Sequence, residues 1–336
     1  MNRILAMMIA LVGLTGCSCG NGTGTKGMTG AYSKAGKLSE EEKTIFSEVV
    51  SPYVEPELKA EKVSRQVVAG TNYCFVCKDS DGKRVEVVVY VPLPGNGYPE
   101  ITSVNGEELM DEFPDNSPIF ITPSGNPLRV ACIFHGSLAF EYDGKVIHID
   151  PVTQMGEMKI DYSAFGEADA IFTTHVHHDH LCPEAIDNLS GEETALFANA
   201  ESVSALDKGT VLANGDSGEL SEGIRYTAVP AYNTTEGREM FHPKDNGNGY
   251  IFDFDGFRVY VAGDTEPIDE MSDFGSIDLA FLPVNQPYTM TVSQCIEAAE
   301  LIHPKTLIPY HYSDTDLSGL PKMLKGMEVK IFESLR

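Results

Sequence analysis

The residues whose types and spacing most clearly suggest chemistry lie at Thr174–Leu181, which reads THVHHDHL. Four of the chain's nine histidines and one aspartate fall within these eight residues. The preceding residues, Ala170–Thr173 (AIFT), form an apolar run typical of a buried strand. The polar cluster is therefore expected at the C-terminal end of that strand.

The spacing within this cluster predicts a metal site. In an extended chain His175 and His177 point the same way, and His178 points away. Asp179 and His180, in the following turn, can reach the other side of whatever the first two hold. Imidazole nitrogens suit Zn²⁺, and a carboxylate can hold a second metal ion. The alternative is a solvated histidine-rich loop.

Charge and length limit the function. The chain has 336 residues, enough for two domains, and 50 acidic against 24 basic residues give it a net charge of −26. Such a surface repels phosphate backbones, and no basic stripe offsets it. The sequence therefore predicts no nucleic-acid partner.

The N-terminus predicts a lipid anchor. Residues 1–16 are predicted to be a lipoprotein signal peptide, because their apolar run is too short to span a bilayer and Leu14–Cys17 (LTGC) resembles the lipobox of bacterial lipoproteins. The resemblance implies acylation of Cys17, with 17–37 as a flexible tether, in the bacterial cell envelope on the inner or outer membrane. A plain signal peptide is the alternative, but the segment lacks an Ala-x-Ala site.

The next region predicts a small α+β domain over 38–106. Leu38–Val50 has a serine cap and helical apolar spacing. Three β-rich runs follow, at Val63–Ala69, Tyr73–Lys78 and Arg84–Val91. Cys74 and Cys77 lie in one of these runs, where residues three apart point to opposite faces, so we expect free thiols.

The remainder predicts a linker and a larger domain. Residues 107–127 are proline-rich and irregular, which indicates a linker. Over 128–336, short strands alternate with helical stretches, as in a layered α/β domain.

The larger domain resembles the metallo-β-lactamase fold, in the branch that includes ascorbate-6-phosphate lactonase-like hydrolases. HVHHDH at His175–His180 fits the H-x-H-x-D-H motif of that fold. Further similar segments follow the family's order: HGSLAFEYDGKVIHIDP at His135–Pro151, VPAYN at Val229–Asn233, FHPK at Phe241–Lys244, AGDT at Ala262–Thr265 and PYHY at Pro309–Tyr312. The resemblance implies a four-layer αβ/βα sandwich and a metal-dependent hydrolase that acts on a small-molecule substrate.

The same resemblance assigns roles. It implies one metal held by His175 and His177, a second held by Asp179, His180 and His311, and Asp264 bridging both. Asp179 and Asp264 become the catalytic carboxylates, and Asp150 would orient ligands by hydrogen bonds. His178 has no role in this assignment.

One departure leaves the number of metal ions open. The family has a third histidine where this chain has Asn233, which is a poor zinc ligand. His242, a little further along, is the predicted replacement; otherwise the first metal is under-coordinated or absent. One or two Zn²⁺ ions, or another divalent metal, fit the pattern. His135, Asn233 and Tyr288 are predicted to line the substrate pocket, with ordinary packing as the alternative for His135.

The smaller domain resembles cystatins, and QVVAGTNY at Gln66–Tyr73 is similar to the intracellular stefins. In that family, two hairpin loops and an N-terminal glycine form a wedge that fills the cleft of papain-like cysteine proteases. The residues implied are Gly30, Gln66, Val67, Val68, Ala69, Gly70, Leu93 and Pro94. A cystatin-like fold without inhibitory activity is the alternative.

Two functions from different classes follow. The first is a membrane-anchored metal-dependent hydrolase of an ester, lactone or phosphoester. The second is a lipoprotein that inhibits or binds a cysteine protease and whose metal domain is inactive.

Overall fold

The computed structural model describes residues 30–114 and 117–336 and divides them into two compact units. The first unit contains the described residues up to Ser51 together with Glu57–Leu109, and the second contains Pro52–Pro56 and the described part of Met110–Arg336. Within the described ranges, no helix has the length and apolar character needed to cross a membrane. The predicted signal peptide and Cys17 lie outside these ranges.

The secondary structure consists of short elements, numbered along the chain. The strands are β1 Val54–Glu55, β2 Lys59–Val68, β3 Gly70–Lys78, β4 Arg84–Pro92, β5 Glu100–Val104, β6 Glu107–Glu108, β7 Ile119–Ile121, β8 Pro127–Phe134, β9 Ser137–Tyr142, β10 Lys145–Ile149, β11 Gln154–Met155, β12 Met158–Lys159, β13 Ala168–Thr173, β14 Ser190–Ala198, β15 Thr210–Val211, β16 Ser217–Ser221, β17 Ile224–Ala231, β18 Gly247–Phe254, β19 Phe257–Val261, β20 Leu279–Pro283, β21 Thr306–Tyr310 and β22 Glu328–Val329. The α-helices are α1 Glu40–Ile45, α2 Pro183–Leu189, α3 Ala200–Leu206, α4 Val292–Ile302 and α5 Leu320–Met323.

The first unit is one helix packed on an antiparallel sheet of order β2-β3-β4-β5-β6. Ser39 and Glu42 form a capping box that starts α1, which continues as a π-helical turn over Phe46–Val50. The ring of Phe46 packs edge-on against Phe75 of the sheet, with centroids 5.3 Å apart. This is the predicted α+β architecture, and its kinship with cystatins stays a prediction.

Two details of the first unit differ from expectation. Residues expected to belong to a free tether follow the edge of β2, since Gly36 pairs with Val63 and Ser33 N–H donates to the Arg65 carbonyl at 2.7 Å. Cys74 is disulfide-bonded, so the expected free thiol is wrong there, whereas Cys77 is free and buried.

The second unit contains two mixed sheets that share one core. The first sheet has the order β1-β7-β8-β9-β10-β13-β14-β15, and the second runs β16-β17-β18-β19-β20-β21-β22. Phe140 of β9 and Phe172 of β13 meet Phe252 of β18, with centroids 5.5 and 5.0 Å apart. The two inner faces therefore exclude water from a common apolar core.

Helices cover the outer faces of this sandwich. Because strand side chains alternate, Phe172 points into the common core while Ile171 packs with Ile186 and Leu189 of α2. On the second sheet, α4 contacts β20 and α5 contacts β22. The second unit is thus built from two sheets between helical layers.

The segment expected to be a linker, 107–127, has a different structure. Glu107–Glu108 closes the sheet of the first unit, whereas Ile119–Ile121 is a strand between β1 and β8. Phe113 is buried beside the guanidinium of Arg129. Pro118 and Pro123 limit the length of the strand Ile119–Ile121 without excluding the segment from the fold, and the short apolar run PIFI supplies the paired residues.

The carboxyl ends of four strands position the candidate site. Asp150 follows β10, the histidine cluster follows β13, Asp264 follows β19 and His311 follows β21. Within each sheet the strands concerned run parallel, β10 beside β13 and β19 through β20 to β21. Their polar residues therefore emerge at the same edge of each sheet.

Candidate metal centre

The first group of converging donors contains His175, His177, His242 and Asp264, whose ligand atoms lie within 4.8 Å of one another. His242 Nε2 is 3.2 Å and His175 Nε2 is 3.9 Å from Asp264 Oδ2. His175 Nε2 is also 2.9 Å from His177 Nδ1. The structure therefore brings His242, and not Asn233, to the two histidines of the motif.

The second group lies on the other side of Asp264. His180 Nε2 is 3.4 Å from Asp264 Oδ1, and His311 Nε2 is 3.5 Å from Asp264 Oδ2. Asp179 Oδ2 is 3.4 Å from His311 Nε2 and 4.0 Å from His180 Nε2. Asp264 thus contacts both groups. The side chain of His178 is 92% exposed, with its Nδ1 3.8 Å from Asp179 Oδ1, and it belongs to neither donor group.

These separations fit donors around a shared cation. With metal–ligand bonds of about 2.1 Å, two tetrahedral ligands of one ion are about 3.4 Å apart, and wider angles give larger separations. Several of the donor atoms are buried without a hydrogen-bond partner among the described residues: His180 Nε2, His242 Nε2, Asp264 Oδ1 and His311 Nε2. Unpaired buried polar atoms carry a large desolvation cost, which a bound cation would offset. The donor set therefore fits a divalent metal centre.

Asp150 fixes the orientation of His180. Asp150 is fully buried, and its Oδ2 accepts from His180 Nδ1 at 2.7 Å. The backbone N–H and the hydroxyl of Thr174 donate to the two oxygens of Asp150, each at 2.7 Å. With the Nδ1 proton held by the carboxylate, the lone pair on Nε2 of a neutral His180 faces Asp264.

Unusual backbone conformations aim several of these side chains. Asp150 and His311 have φ angles of +46° and +50°, which non-glycine residues seldom adopt. Gly263, just before Asp264, has φ +65°, and a Cβ there would lie 2.8 Å from the Asn248 carbonyl oxygen. Only glycine fits this approach.

A separate network holds the loop that delivers His242. Asn233 N–H donates to the His242 carbonyl at 2.9 Å. Fully buried Glu266 accepts from the backbone N–H groups of Thr234 and Thr235 at 2.8 and 2.6 Å, and pairs with Arg238 at 2.6 Å. The acidic residue two positions after Asp264 thus ties this loop to the strand end that carries Asp264.

Burial and neighbouring charges shift the pKa values of the cluster. Burial lowers the pKa of His175 and of His177, which keeps their lone pairs free. Burial likewise lowers the pKa of His180, but Asp264 and Asp150 outweigh it and raise that pKa well above its usual value. Burial raises the pKa of Asp264, but His311 and His180 outweigh it and hold that pKa well below the usual range. A proton on His180 Nε2 therefore competes with a metal ion for that nitrogen.

A cavity of about 210 Å³ opens onto the first group. Besides the metal-ligand candidates, its lining includes Met240, Phe241, Asn246 and Glu201. Sequence reasoning missed these residues, although Phe241 stands directly before His242 in the FHPK motif. Thr174 and Glu266 were missed too, because their hydrogen bonds depend on contacts between distant segments.

His135, Asn233 and Tyr288 were expected to line the substrate pocket. They are not among the described residues that line this cavity. Asn233 is buried, and its amide donates to the main-chain oxygens of Arg238 and Tyr288 at 3.1 and 2.7 Å. The ring of Tyr288 packs against Phe241, which does line the cavity. His135 is buried beside Asp179 and His311. None of the three lines this cavity, and their contact with a substrate stays a prediction.

Comparison with known proteins agrees with this geometry. A family described as the beta-lactamase superfamily domain matches residues 129–311. UPF0173 metal-dependent hydrolases of Pyrococcus abyssi and Thermococcus kodakarensis are 32% and 34% identical to the chain over 189 and 190 residues. Each alignment covers 54% of this chain and 83% of the relative.

Solved structures give the same result. A crystal structure from Parabacteroides distasonis, named for a metal-dependent hydrolase, is 50% identical with a TM-score of 0.62 and covers 65% of this chain and 98% of its own. A metallo hydrolase of Ignicoccus hospitalis, 23% identical with a TM-score of 0.53, covers 62% of this chain and 96% of its own and shares the fold. The chain belongs to the beta-lactamase superfamily: it has the metallo-β-lactamase fold and is a metal-dependent hydrolase.

Proposed function

We propose that the chain hydrolyses a small ester, lactone or phosphoester at a centre of two Zn²⁺ ions. The observation that carries the proposal is the pair of donor groups that share Asp264. Asp264 Oδ2 lies 3.2 Å from His242 Nε2 of the first group and 3.5 Å from His311 Nε2 of the second, and Oδ1 lies 3.4 Å from His180 Nε2. A carboxylate shared in this way suits two adjacent ions. The buried, unpartnered donor atoms support the same conclusion.

Each group has a defined set of residues. His175, His177 and His242 would hold one ion, Asp179, His180 and His311 the other, and Asp264 would contact both. When bound, such ions activate water as a nucleophile near neutral pH and polarise the attacked carbonyl or phosphoryl oxygen.

The protein's own groups orient the reactants. The carboxylate of Asp179 lies beside the second group, 3.4 Å from His311 Nε2, where it can accept a hydrogen bond from the attacking water. The side chains of Met240 and Phe241 supply apolar contact area beside the first group, where a small substrate loses its hydration.

The test combines metal content with a substrate screen. Purified wild-type protein is expected to hold two metal equivalents by elemental analysis and to hydrolyse at least one chromogenic ester, lactone or phosphodiester. His177→Ala is expected to lose metal and activity, whereas His178→Ala, the exposed neighbour, should keep both. Metal-free wild-type protein that cannot be loaded, or full activity in His177→Ala, would refute the proposal.

A second candidate function is binding of a papain-like cysteine protease by the first unit. Three segments named in the cystatin resemblance lie together: Gln66 donates from its amide to the Gly30 carbonyl at 2.6 Å, and Gly70 pairs with Pro92 just before Leu93. Val67 and Leu93 are 75% and 52% exposed. Exposed apolar tips at one end of a sheet are a common feature of binding surfaces.

Charge substitutions on the intact chain test this second function. Val67→Asp and Leu93→Asp should each weaken binding to papain by at least about tenfold, since an apolar anchor would be replaced by a charge. Met323→Asp, at an exposed apolar position of the second unit, should leave binding unchanged. Wild-type protein that shows no binding to papain would remove this function. Binding to papain without any hydrolysis would instead favour the inhibitor whose metal domain is inactive.

Anchoring through Cys17 to the cell envelope is part of the proposal and depends only on the sequence. Metabolic labelling with a fatty acid should mark the wild-type chain and not Cys17→Ser, and only the wild type should sediment with membranes. Separation of inner and outer membranes would then assign the membrane. Equal labelling of both proteins would contradict the anchor.

A further inference from the structure

His135 lies at the turn between β8 and β9 with its ring against the second group of donors. It is 2% exposed, and its ring centroid is 3.8 Å from that of His311. Its Nε2 is 3.7 Å from Asp179 Oδ2, and the donor atoms of His135, Asp179 and His311 lie within 4.8 Å of one another. The motif that identified the other ligands does not include this residue.

A hydrogen bond fixes the tautomer of His135. Its Nδ1 is 3.0 Å from the main-chain oxygen of Arg336. That oxygen can only accept, so Nδ1 carries the proton, and in a neutral ring the lone pair lies on Nε2. The lone pair therefore faces the carboxylate of Asp179.

Two electron-rich atoms face each other in this arrangement. The 3.7 Å between His135 Nε2 and Asp179 Oδ2 exceeds a hydrogen bond. Without a hydrogen between them the two atoms repel, whereas a cation between them would attract both. Two ligand atoms of one tetrahedral ion are roughly 3.4 Å apart. The 3.7 Å between these two atoms is only slightly longer, so both can reach one ion.

The backbone holds His135 in this place at an energetic cost. Its φ of +51° is left-handed, a conformation that non-glycine residues seldom adopt. Its N–H donates to the Ser334 carbonyl at 3.0 Å, and its own carbonyl accepts from His311 N–H at 3.2 Å. His135 and His311 are thus locked to each other through the main chain, which sets the separation of their rings.

We propose that His135 is a ligand of the second metal ion, beside Asp179 and His311. The inference rests on the proposed two-metal function and adds a protein donor that the H-x-H-x-D-H motif does not supply. This assignment also gives a role to Gly136, the residue after His135. A Cβ at Gly136 would lie 2.9 Å from His180 Cε1, so glycine there lets His180 approach the same ion.

A thiolate placed at this position gives a spectroscopic test. His135→Cys loaded with Co²⁺ should show a thiolate-to-cobalt charge-transfer band in the near ultraviolet. The band should be missing from cobalt-loaded wild-type protein and from His178→Cys, the exposed control. A folded His135→Cys that binds cobalt without the band would overturn the assignment.

Metal affinity provides the second measurement, which holds even if the cysteine variant does not fold. In a chelator competition, His135→Leu should lose one metal equivalent or at least about 100-fold in affinity, and His135→Asp, which restores a donor, should recover part of it. His148→Phe, a substitution of another buried histidine, should keep wild-type affinity. If His177→Ala loses metal and His135→Leu keeps both equivalents, only the assignment of His135 fails. If wild-type protein binds no metal, the proposed function fails as well.

Discussion

Replacement of Asp150 by asparagine should weaken metal binding without removing any ligand. Asp150 accepts three hydrogen bonds of 2.7 Å, from Thr174 N–H, from the Thr174 hydroxyl and from His180 Nδ1. Asparagine has the same shape, but one of its two polar atoms is an NH₂ group that only donates.

Both orientations of the new amide are unfavourable. If the NH₂ group faces His180, it donates to Nδ1 and moves the ring proton to Nε2, which then cannot bind a metal. If it faces Thr174 N–H, two buried donors oppose each other, at a cost of about 1–3 kcal/mol. A carboxylate that orients a ligating histidine typically accounts for about 10–100-fold in metal affinity, or about 1.4–2.8 kcal/mol, and Asp150→Asn should lose about that much.

The assay is a chelator competition on Asp150→Asn and wild-type protein, with elemental analysis of the bound metal. The metal ion of the second group should be lost before that of the first, because His180 belongs to the second group. Asp169→Asn is the matched control, since Asp169 lies at the opposite end of the central strands and bonds Lys145 at 2.7 Å. Wild-type affinity in Asp150→Asn would refute the argument that the carboxylate fixes the tautomer.

Three further predictions concern the surrounding structure. Burial lowers the pKa of His148 to about 3, against about 6.5 in the unfolded chain. Because the unfolded chain binds the proton more readily, the free energy of unfolding of the metal-free protein should fall by about 2 kcal/mol from pH 7 to pH 5 through this residue alone. In urea titrations at the two pH values, the fall should be about 2 kcal/mol smaller in His148→Phe than in the wild type, and an equal fall in both would contradict the assignment. Gly263→Ala should lower the free energy of unfolding by about 1–3 kcal/mol, because its φ of +65° and the Asn248 carbonyl exclude a Cβ. Gly326→Ala is the control for the φ angle alone, since nothing lies within 4 Å of a Cβ at that position. Equal losses of stability in the two variants would refute the steric argument. Glu266→Ala should destabilise the fold by about 3 kcal/mol, since Arg238 loses its buried partner, and should release the first metal before the second in the chelator competition; simultaneous loss would show that the loop does not position His242.

Much of the fold was predictable from local pattern. The helix that begins after Ser39, the hairpins of the first unit and the strand before the histidine cluster all follow from caps, turns and apolar periodicity. The structure of segment 107–127 was not predictable, because the pattern of a three-residue strand is too short to distinguish from a proline-rich loop. Its pairing is decided by the neighbouring strands β1 and β8.

For the site, the sequence by itself determined the chemistry: four histidines and an aspartate after an apolar strand, with a glycine before a second aspartate, predict a metal centre and the residue types that hold it. The tertiary structure decided which distant residues join them. It brings His242 rather than Asn233 to the first group and His135 to the second, and it places Glu266 under the His242 loop. The physical reason is that a strand's period fixes neighbouring side chains locally, whereas the convergence of donors from four strand ends depends on how two sheets pack across one core.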